Sequence, residues 1–409
     1  MSGQLQDFSD KNLAVWYFVY FIAILLPQIL LISAKGSLFD SAYKAVVLAI
    51  FSFAYIYVLE SRKVFLFRSQ ELGIVAVYLA TSLAGILCVG EISLSAIILS
   101  LTTTLMYLYF FSVIKFIYLE KKGIDKVSTF YVIFILYACV FNVLYYGGRP
   151  LLALFSGEGG YYASFFDNKN TYGLFLLLGV IFAVLNRSHT TRKKLNLFAI
   201  LFIFFNLLTC GSRTSLYCAV LFIALYYLLA NRKNWISWLL IILVIFVFFI
   251  AVDNIEWLNQ YLNNYIFRDD DSFVNRSEMA AATFKHMSGF AWLVGYGEDA
   301  ATYLSPYTKN SYFHNSFVAV IATGGIIKTI LYVLLFVKIV QVYWRIYRVY
   351  SVKIGAVFIA AFITYVAYSW GESVVLLNAD TQSMGMTLLL LTLPQLYLNT
   401  FRHEQESEE

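Results

Sequence analysis

Charge is scarce in this chain. Asp, Glu, Lys and Arg make up 13% of its 409 residues, against roughly a quarter in soluble domains, while 61% are hydrophobic and the mean hydropathy is +0.73. A water-soluble core cannot hide that much apolar surface. The expected fold class is therefore all-α and polytopic, a single membrane domain over residues 1–409. The excess positive charge, +5, is also small. Lys and Arg flanking membrane spans account for it, so it implies a bilayer and no nucleic-acid partner. Cysteine is sparse: Cys88, Cys139, Cys210 and Cys218 lie in or beside apolar runs, with no CxxC pair and no metal-ligand spacing. Disulfides and zinc are thereby set aside, and the four read as small packing residues. A GxGxxG fingerprint is missing too, since the Gly-Tyr-Gly at 295–297 follows no strand pattern. No internal repeat and no low-complexity linker divides the chain. The first twelve residues carry Asp7, Asp10 and one Lys in place of a basic flank. The apolar run Leu13–Ile32 therefore reads as a retained spanning helix and not a cleaved leader.

What is present in abundance is the apolar run of about twenty residues, the length that spans a bilayer. Such runs fall at 13–33, 42–59, 72–90, 93–116, 128–146, 170–186, 195–210, 215–230, 236–252, 313–338, 354–376 and 383–400, which predicts about twelve transmembrane helices. Pro27 and Pro394 lie inside two of them and are expected to kink them. Lys and Arg distribution then orients the set. With the N-terminus inside, one side collects Lys11, Arg62, Lys63, Arg68, Lys121, Lys122, Lys126, Arg187, Arg192, Lys193, Lys194, Arg232, Lys233, Arg345, Arg348, Lys353 and Arg402. The short connections on the other side carry Lys35, Arg149, Lys169 and Arg213. Seventeen against four places both termini in the cytoplasm, the acidic tail at 402–409 included, and puts a long loop, 253–312, outside.

The polar residues gathered on that outer side are the candidates for chemistry. In FFDNKNTYG (165–173), Asp167, Asn168, Lys169 and Asn170 lead into an apolar helix, as a cap, as substrate ligands, or both. In TCGSRTSL (209–216), Arg213 sits in a tight turn between two apolar helices, where it either snorkels to headgroups or meets an anion. In NRSEMAAATFKHM (275–287), Asn275 and Glu278 resemble a capping box, which predicts a helix start and puts Arg276 in a first turn, where the dipole disfavours cations. Glu298 and Asp299 read as solvated loop carboxylates, with general-base duty the alternative. In SYFHNSFVAVIATGG (311–325), His314 stands where the polar loop meets an apolar run, with an imidazole suited to taking a proton from a hydroxyl. Asn315 beside it caps that helix or touches substrate. Two arginines, a histidine and amides, without a metal cluster, suit an anionic phosphate-bearing substrate. Loop aromatics such as Trp257, Trp292, Tyr303 and Tyr307 suit sugar stacking or bilayer contact.

The order of these segments resembles one family. Gly-Ser-Arg-Thr-Ser after an apolar helix, a long loop with Asn-Arg, then Gly-Tyr-Gly, then His-Asn-Ser-Phe opening a helix that contains Ala-Thr-Gly-Gly is similar to the O-antigen ligase and Wzy-type polymerase superfamily, over residues 160–340. The resemblance implies a GT-C-like, all-helical membrane glycosyltransferase of a bacterial surface-glycan pathway (O-antigen, capsule or exopolysaccharide). Its donor would be a glycan on undecaprenyl pyrophosphate, with no cofactor and no metal. A flippase and a chain-length regulator would be its partners. By position, Arg213 and Arg276 match the motif arginines that hold the pyrophosphate, with Arg268 the alternative to Arg276, and His314 matches the histidine that activates the acceptor hydroxyl. Asn168, Asn170 and Asn315 are the accompanying substrate-binding candidates. A polymerase is the leading reading and a ligase acting on lipid A–core the alternative. A twelve-span transporter is a third reading, supported chiefly by Lys328 deep in an apolar run; Lys44, Lys115 and Lys338 lie near enough to helix ends to snorkel, and Glu372 sits toward the outer end of its run.

Overall fold

The computed structural model describes residues 69–90, 94–108, 121–150, 161–166, 168–189, 193–232, 254–261, 272–309, 312–378 and 381–408, with a few isolated positions besides. The expected spans at 13–33 and 42–59, with Pro27 and Lys44, lie outside the described residues, as do Lys115, Asp167 and Arg268. The span at 93–116 is described only in part, and that at 236–252 only at single positions.

Among the described residues the fold is all-helical. The helices are α1 (Ser69–Val89), α2 (Leu94–Leu108), α3 (Lys121–Tyr145), α4 (Lys169–His189), α5 (Lys193–Cys210), α6 (Arg213–Ala230), α7 (Glu256–Tyr261), α8 (Ser272–His286), α9 (Ala291–Val294), α10 (Ala300–Thr308), α11 (Ser316–Arg345), α12 (Val352–Gly371), α13 (Thr381–Thr387) and α14 (Leu393–Glu408). Among the described residues, five helical stretches are long and apolar enough to cross a membrane: Ile124–Tyr145, Lys169–Arg187, Arg213–Ala230, Ser316–Tyr350 and Val352–Gly371.

Helix α4 is the centre of the bundle. Its residues from Leu174 to Leu185 are buried on every side, as expected for a helix that is apolar all round. Glycine lets its neighbours close in: a Cβ at Gly179 would stand 2.7 Å from Ile135 of α3, and one at Gly173 would stand 2.5 Å from Ser212 at the head of α6. Stacked rings fill the remaining space, Tyr131 on Phe182 at 4.3 Å and Phe166 on Phe175 at 5.0 Å. Buried amides tie the layers where apolar packing gives no direction. Asn142 donates to Asn206 at 3.0 Å, Tyr172 donates to the same Asn206 oxygen, and Asn142 accepts from the Ser164 amide.

Two of the helices are interrupted, each for a readable reason. Pro394 lacks an N–H, so the carbonyl four residues earlier, Leu390, loses its helical partner. The chain widens into a π-turn over Leu388–Thr392, and the Leu390 carbonyl accepts the Tyr343 hydroxyl instead, at 2.5 Å. In α11 the break is Gly325, at φ 59° and ψ −157°, a conformation that favours glycine. It frees the carbonyls of Ala322 and Thr323, which accept the amides of Tyr296 and Gly297 at 2.8 and 3.0 Å. The Gly-Tyr-Gly turn is thus docked into the kink made by Ala-Thr-Gly-Gly. A Cβ at Gly325 would stand 2.4 Å from the Leu293 backbone, and one at Gly85 of α1 would stand 2.4 Å from the Gly297 amide.

An ion pair closes this joint. Lys328 lies 2.7 Å from Glu298, with side chains 4% and 5% exposed. Tyr78 donates to Glu298 at 2.5 Å, and Lys328 donates to Thr323 at 3.0 Å. Glu298 is therefore no solvated loop carboxylate, and Lys328 is no lone intramembrane cation. Each satisfies the other at the seam of α1, α11 and the loop. Tyr296, in the same turn, donates to the His286 carbonyl at 2.8 Å, and burial, with Tyr303 adjoining, pushes its phenol pKa up.

Candidate active site

The site forms where α12 stops. The apolar run expected to continue to 376 ends its helix at Gly371, and Glu372 turns to extended backbone at φ −141° and ψ 150°. Its carboxylate then receives groups from three distant segments. Asn170 in the first turn of α4 donates its amide at 3.0 Å. Arg276 in α8 donates Nη2 at 3.1 Å, while its Nη1 donates to the Gly371 carbonyl. His314 stands with Nδ1 at 3.8 Å from Oε2. The side chains of Arg276, His314 and Glu372 are 27%, 19% and 12% exposed, so the cluster is drawn in from solvent yet reachable.

Local sequence explains how each group is held. Asn168 caps α4, its oxygen accepting the amides of Asn170 at 2.7 Å and Thr171 at 3.0 Å. Asn315 caps α11, its oxygen accepting the amides of Phe317 at 2.9 Å and Val318 at 3.1 Å, while its Nδ2 donates to the Trp370 carbonyl at 3.1 Å. Ser316 clamps the chain after Glu372, donating to the Glu372 carbonyl at 3.0 Å and accepting the Val374 amide at 2.8 Å. Arg276 and Asn315 thus satisfy two carbonyls that α12 leaves orphaned at its end, and in doing so pin that end to α8 and α11.

Arg213 is the first residue of α6. Its neighbour Thr214 shares the space beside Gly371 with Arg276: a Cβ there would stand 3.3 Å from Thr214 and 3.4 Å from the Arg276 guanidinium. The N-termini of α4, α6 and α11 therefore gather around the end of α12, and each brings partial positive charge. The α4 and α11 termini are capped by asparagine. The α6 terminus has no side-chain cap, because the Ser212 hydroxyl is engaged with Ser215 at 2.9 Å. The Arg276 guanidinium, an arginine at the first position of α6 and an uncapped helix terminus are what an anion requires.

The sequence candidates sort accordingly. His314, Arg276 and Asn170 meet at one carboxylate, and Arg213 lies at the adjoining helix start. Asn168 and Asn315 act as caps, which settles the choice that the sequence left open for their side-chain oxygens. Arg276 requires a correction: α8 begins at Ser272, so Arg276 stands in the second turn and the dipole penalty expected of a first turn does not fall on it. Glu372 was missed as a site residue. The available signal was a single carboxylate in an otherwise uncharged apolar run, which is costly in a membrane unless paired.

Comparison with known proteins reaches the central part of the chain. None of the curated proteins compared matches it. Residues 198–333, which contain Arg213, Arg276 and His314, match the family model described as O-antigen ligase, and over that third of its length the chain is similar to this family.

Proposed function

We propose that this protein is a polysaccharide polymerase. In this reading it transfers a glycan from undecaprenyl pyrophosphate to a sugar hydroxyl of an acceptor lipid-linked repeat unit, at the outer face of the bacterial cytoplasmic membrane, on a GT-C-like scaffold. The observation that carries the reading is the convergence of Arg276, His314 and Asn170 on Glu372 beside the uncapped start of α6. The acceptor hydroxyl attacks the anomeric carbon, the bond from that carbon to the pyrophosphate oxygen breaks, and the anomeric centre inverts. Nδ1 of His314 is turned to Glu372, so the hydroxyl gives its proton to Nε2. Glu372 then stabilises the imidazolium that forms. Charge building on the leaving pyrophosphate falls to Arg213, Arg276 and the α6 terminus. Arg276 commits two of its five N–H groups to Glu372 and Gly371, and the others serve the anion. Since arginines supply the charge stabilisation, turnover is expected to persist in excess EDTA, and reversible loss on chelation would overturn this mechanism.

A ligase acting on lipid A–core or another surface acceptor is the second reading, favoured by the family's description. The polymerase reading needs no acceptor site beyond one for a second lipid-linked unit. Lipid analysis of a deletion strain separates the two: a lost polymerase leaves single repeat units attached to the surface acceptor, whereas a lost ligase strands long chains on the carrier. For the chemistry itself, His314→Ala is expected to lower turnover by about 10²–10⁴-fold, and Arg276→Ala by about 10²–10³-fold, in purified protein given the lipid-linked unit without any gradient. Wild-type polymer from His314→Ala would remove its assignment as base.

A further inference from the structure

Two large aromatic side chains are exposed at the site, and each residue is fixed to one next to or at His314. Tyr312 is 57% exposed, with its ring edge-on to the His314 imidazole at 4.8 Å and 71°. Trp370 is 64% exposed. Its carbonyl is held by the Asn315 side chain at 3.1 Å, and its ring lies 6.4 Å from that of Phe317 in the first turn of α11. Another exposed aromatic, Tyr137, lies midway along α3 among apolar residues, whereas Trp370 is the last residue but one of α12. Tyr312 instead packs against His314 of the polar cluster, and Trp370 stands two residues before Glu372 in the chain, so both leave bare aromatic surface at the edge of that cluster.

A pyranose matches such a surface. One face of the ring is C–H and apolar, its edge is hydroxyl, and the negative face of an aromatic π-system attracts the weakly positive C–H groups. A sugar lying on these rings keeps its hydroxyl edge within reach of the imidazole beside them. We propose that Tyr312 and Trp370 form the acceptor-sugar subsite, stacking the sugar whose hydroxyl His314 deprotonates. This rests on the glycosyltransferase reading above and adds to it which residues recognise the acceptor.

The test uses the full-length protein in nanodiscs, the lipid-linked glycan that accumulates in a deletion strain as donor, and the methyl glycoside of its repeat unit as soluble acceptor. Tyr312→Ala and Trp370→Ala are each expected to raise the acceptor KM about tenfold. Tyr312→Phe and Trp370→Phe keep the aromatic face and are expected to hold it within about twofold. Donor KM and extraction into detergent are expected to stay at wild-type values. Saturation-transfer NMR of the methyl glycoside reads the same contact without turnover, and its signal is expected to fade in the alanine variants alone. An unchanged acceptor KM with unchanged saturation transfer overturns the subsite, and so does a loss of extraction with acceptor KM intact, which marks the rings as interfacial anchors. Wild-type protein that saturates the glycoside through these rings yet transfers no sugar sinks the glycosyltransferase reading and leaves the subsite standing.

Discussion

Glu372 takes a hydrogen bond from Asn170, an ion pair from Arg276 and the approach of His314, so one carboxylate sets the spacing of groups that lie up to 202 residues away in sequence. Glu372→Gln keeps the shape and removes the charge. Turnover is expected to fall about ten- to a hundredfold, the range found for partners that orient metal-bound histidines, while the purified protein keeps its thermal midpoint to within a few degrees. Retention of wild-type turnover would reduce Glu372 to a structural tie. Physics separates what was legible here from what was not. His314 and the two arginines could be found because charge at the edge of an apolar run is conspicuous. Glu372 carried only the signal of a lone carboxylate in an apolar run; its partners were hidden because they depend on where α12 stops, and hydropathy alone carried that run on to residue 376. The dipole argument applied to Arg276 belongs to Arg213, the actual first residue of a helix. An uncapped terminus with a cation in its first turn is unfavourable to the isolated helix and favourable to an anion bound there.

Helix α11 carries His314 at its head, and its kink fixes that head against the loop. The Ala-Thr-Gly-Gly and Gly-Tyr-Gly segments could be read only as a helix and a turn, since period and turn chemistry say nothing of two segments that exchange hydrogen bonds across the fold. In the structure they form one joint, locked by Lys328 and Glu298. Gly325→Ala asks an alanine to adopt φ 59° with its Cβ 2.4 Å from backbone that has nowhere to go, so loss of folded protein in detergent is expected. Lys328→Met strands a buried carboxylate and is expected to cost about 3–5 kcal/mol, read as a lowered thermal midpoint. Adding Glu298→Gln is expected to recover most of that loss, because Tyr78 can donate to a neutral amide oxygen as it does to the carboxylate. A double variant no more stable than Lys328→Met would show that the charge of Glu298 has a use beyond its partner. At the head of α11, removing the Asn315 cap with alanine is expected to cost about 1 kcal/mol.

Across the whole molecule the bundle has two unlike ends. One holds Glu372, Arg276, His314 and the start of α6. At the other end of α6, some eighteen residues and about 27 Å away, Tyr347 donates to the Leu229 carbonyl at 3.0 Å and Arg232 lies over the Tyr347 ring at 5.2 Å. Arg345, Arg348 and Lys353 gather there too, on the last turn of α11, the π-turn that follows it and the first turn of α12, where a Cβ at Gly355 would meet the Tyr347 backbone at 2.3 Å. The separation is close to the thickness of a hydrocarbon core, about 30 Å. Basic residues favour the cytoplasmic side, so the opposite end, with the candidate site, is expected to face outward. The placement can be measured in a variant whose four native cysteines are alanine. Thr302→Cys, exposed in α10, is expected to react with a membrane-impermeant maleimide on intact spheroplasts, and Asn234→Cys, exposed beyond α6, only after the membrane is opened. Labelling of Asn234→Cys in sealed spheroplasts, with Thr302→Cys protected, would invert the molecule. A site on the cytoplasmic side could not receive a glycan already flipped across the membrane, and the polymerase and ligase readings would then fall together.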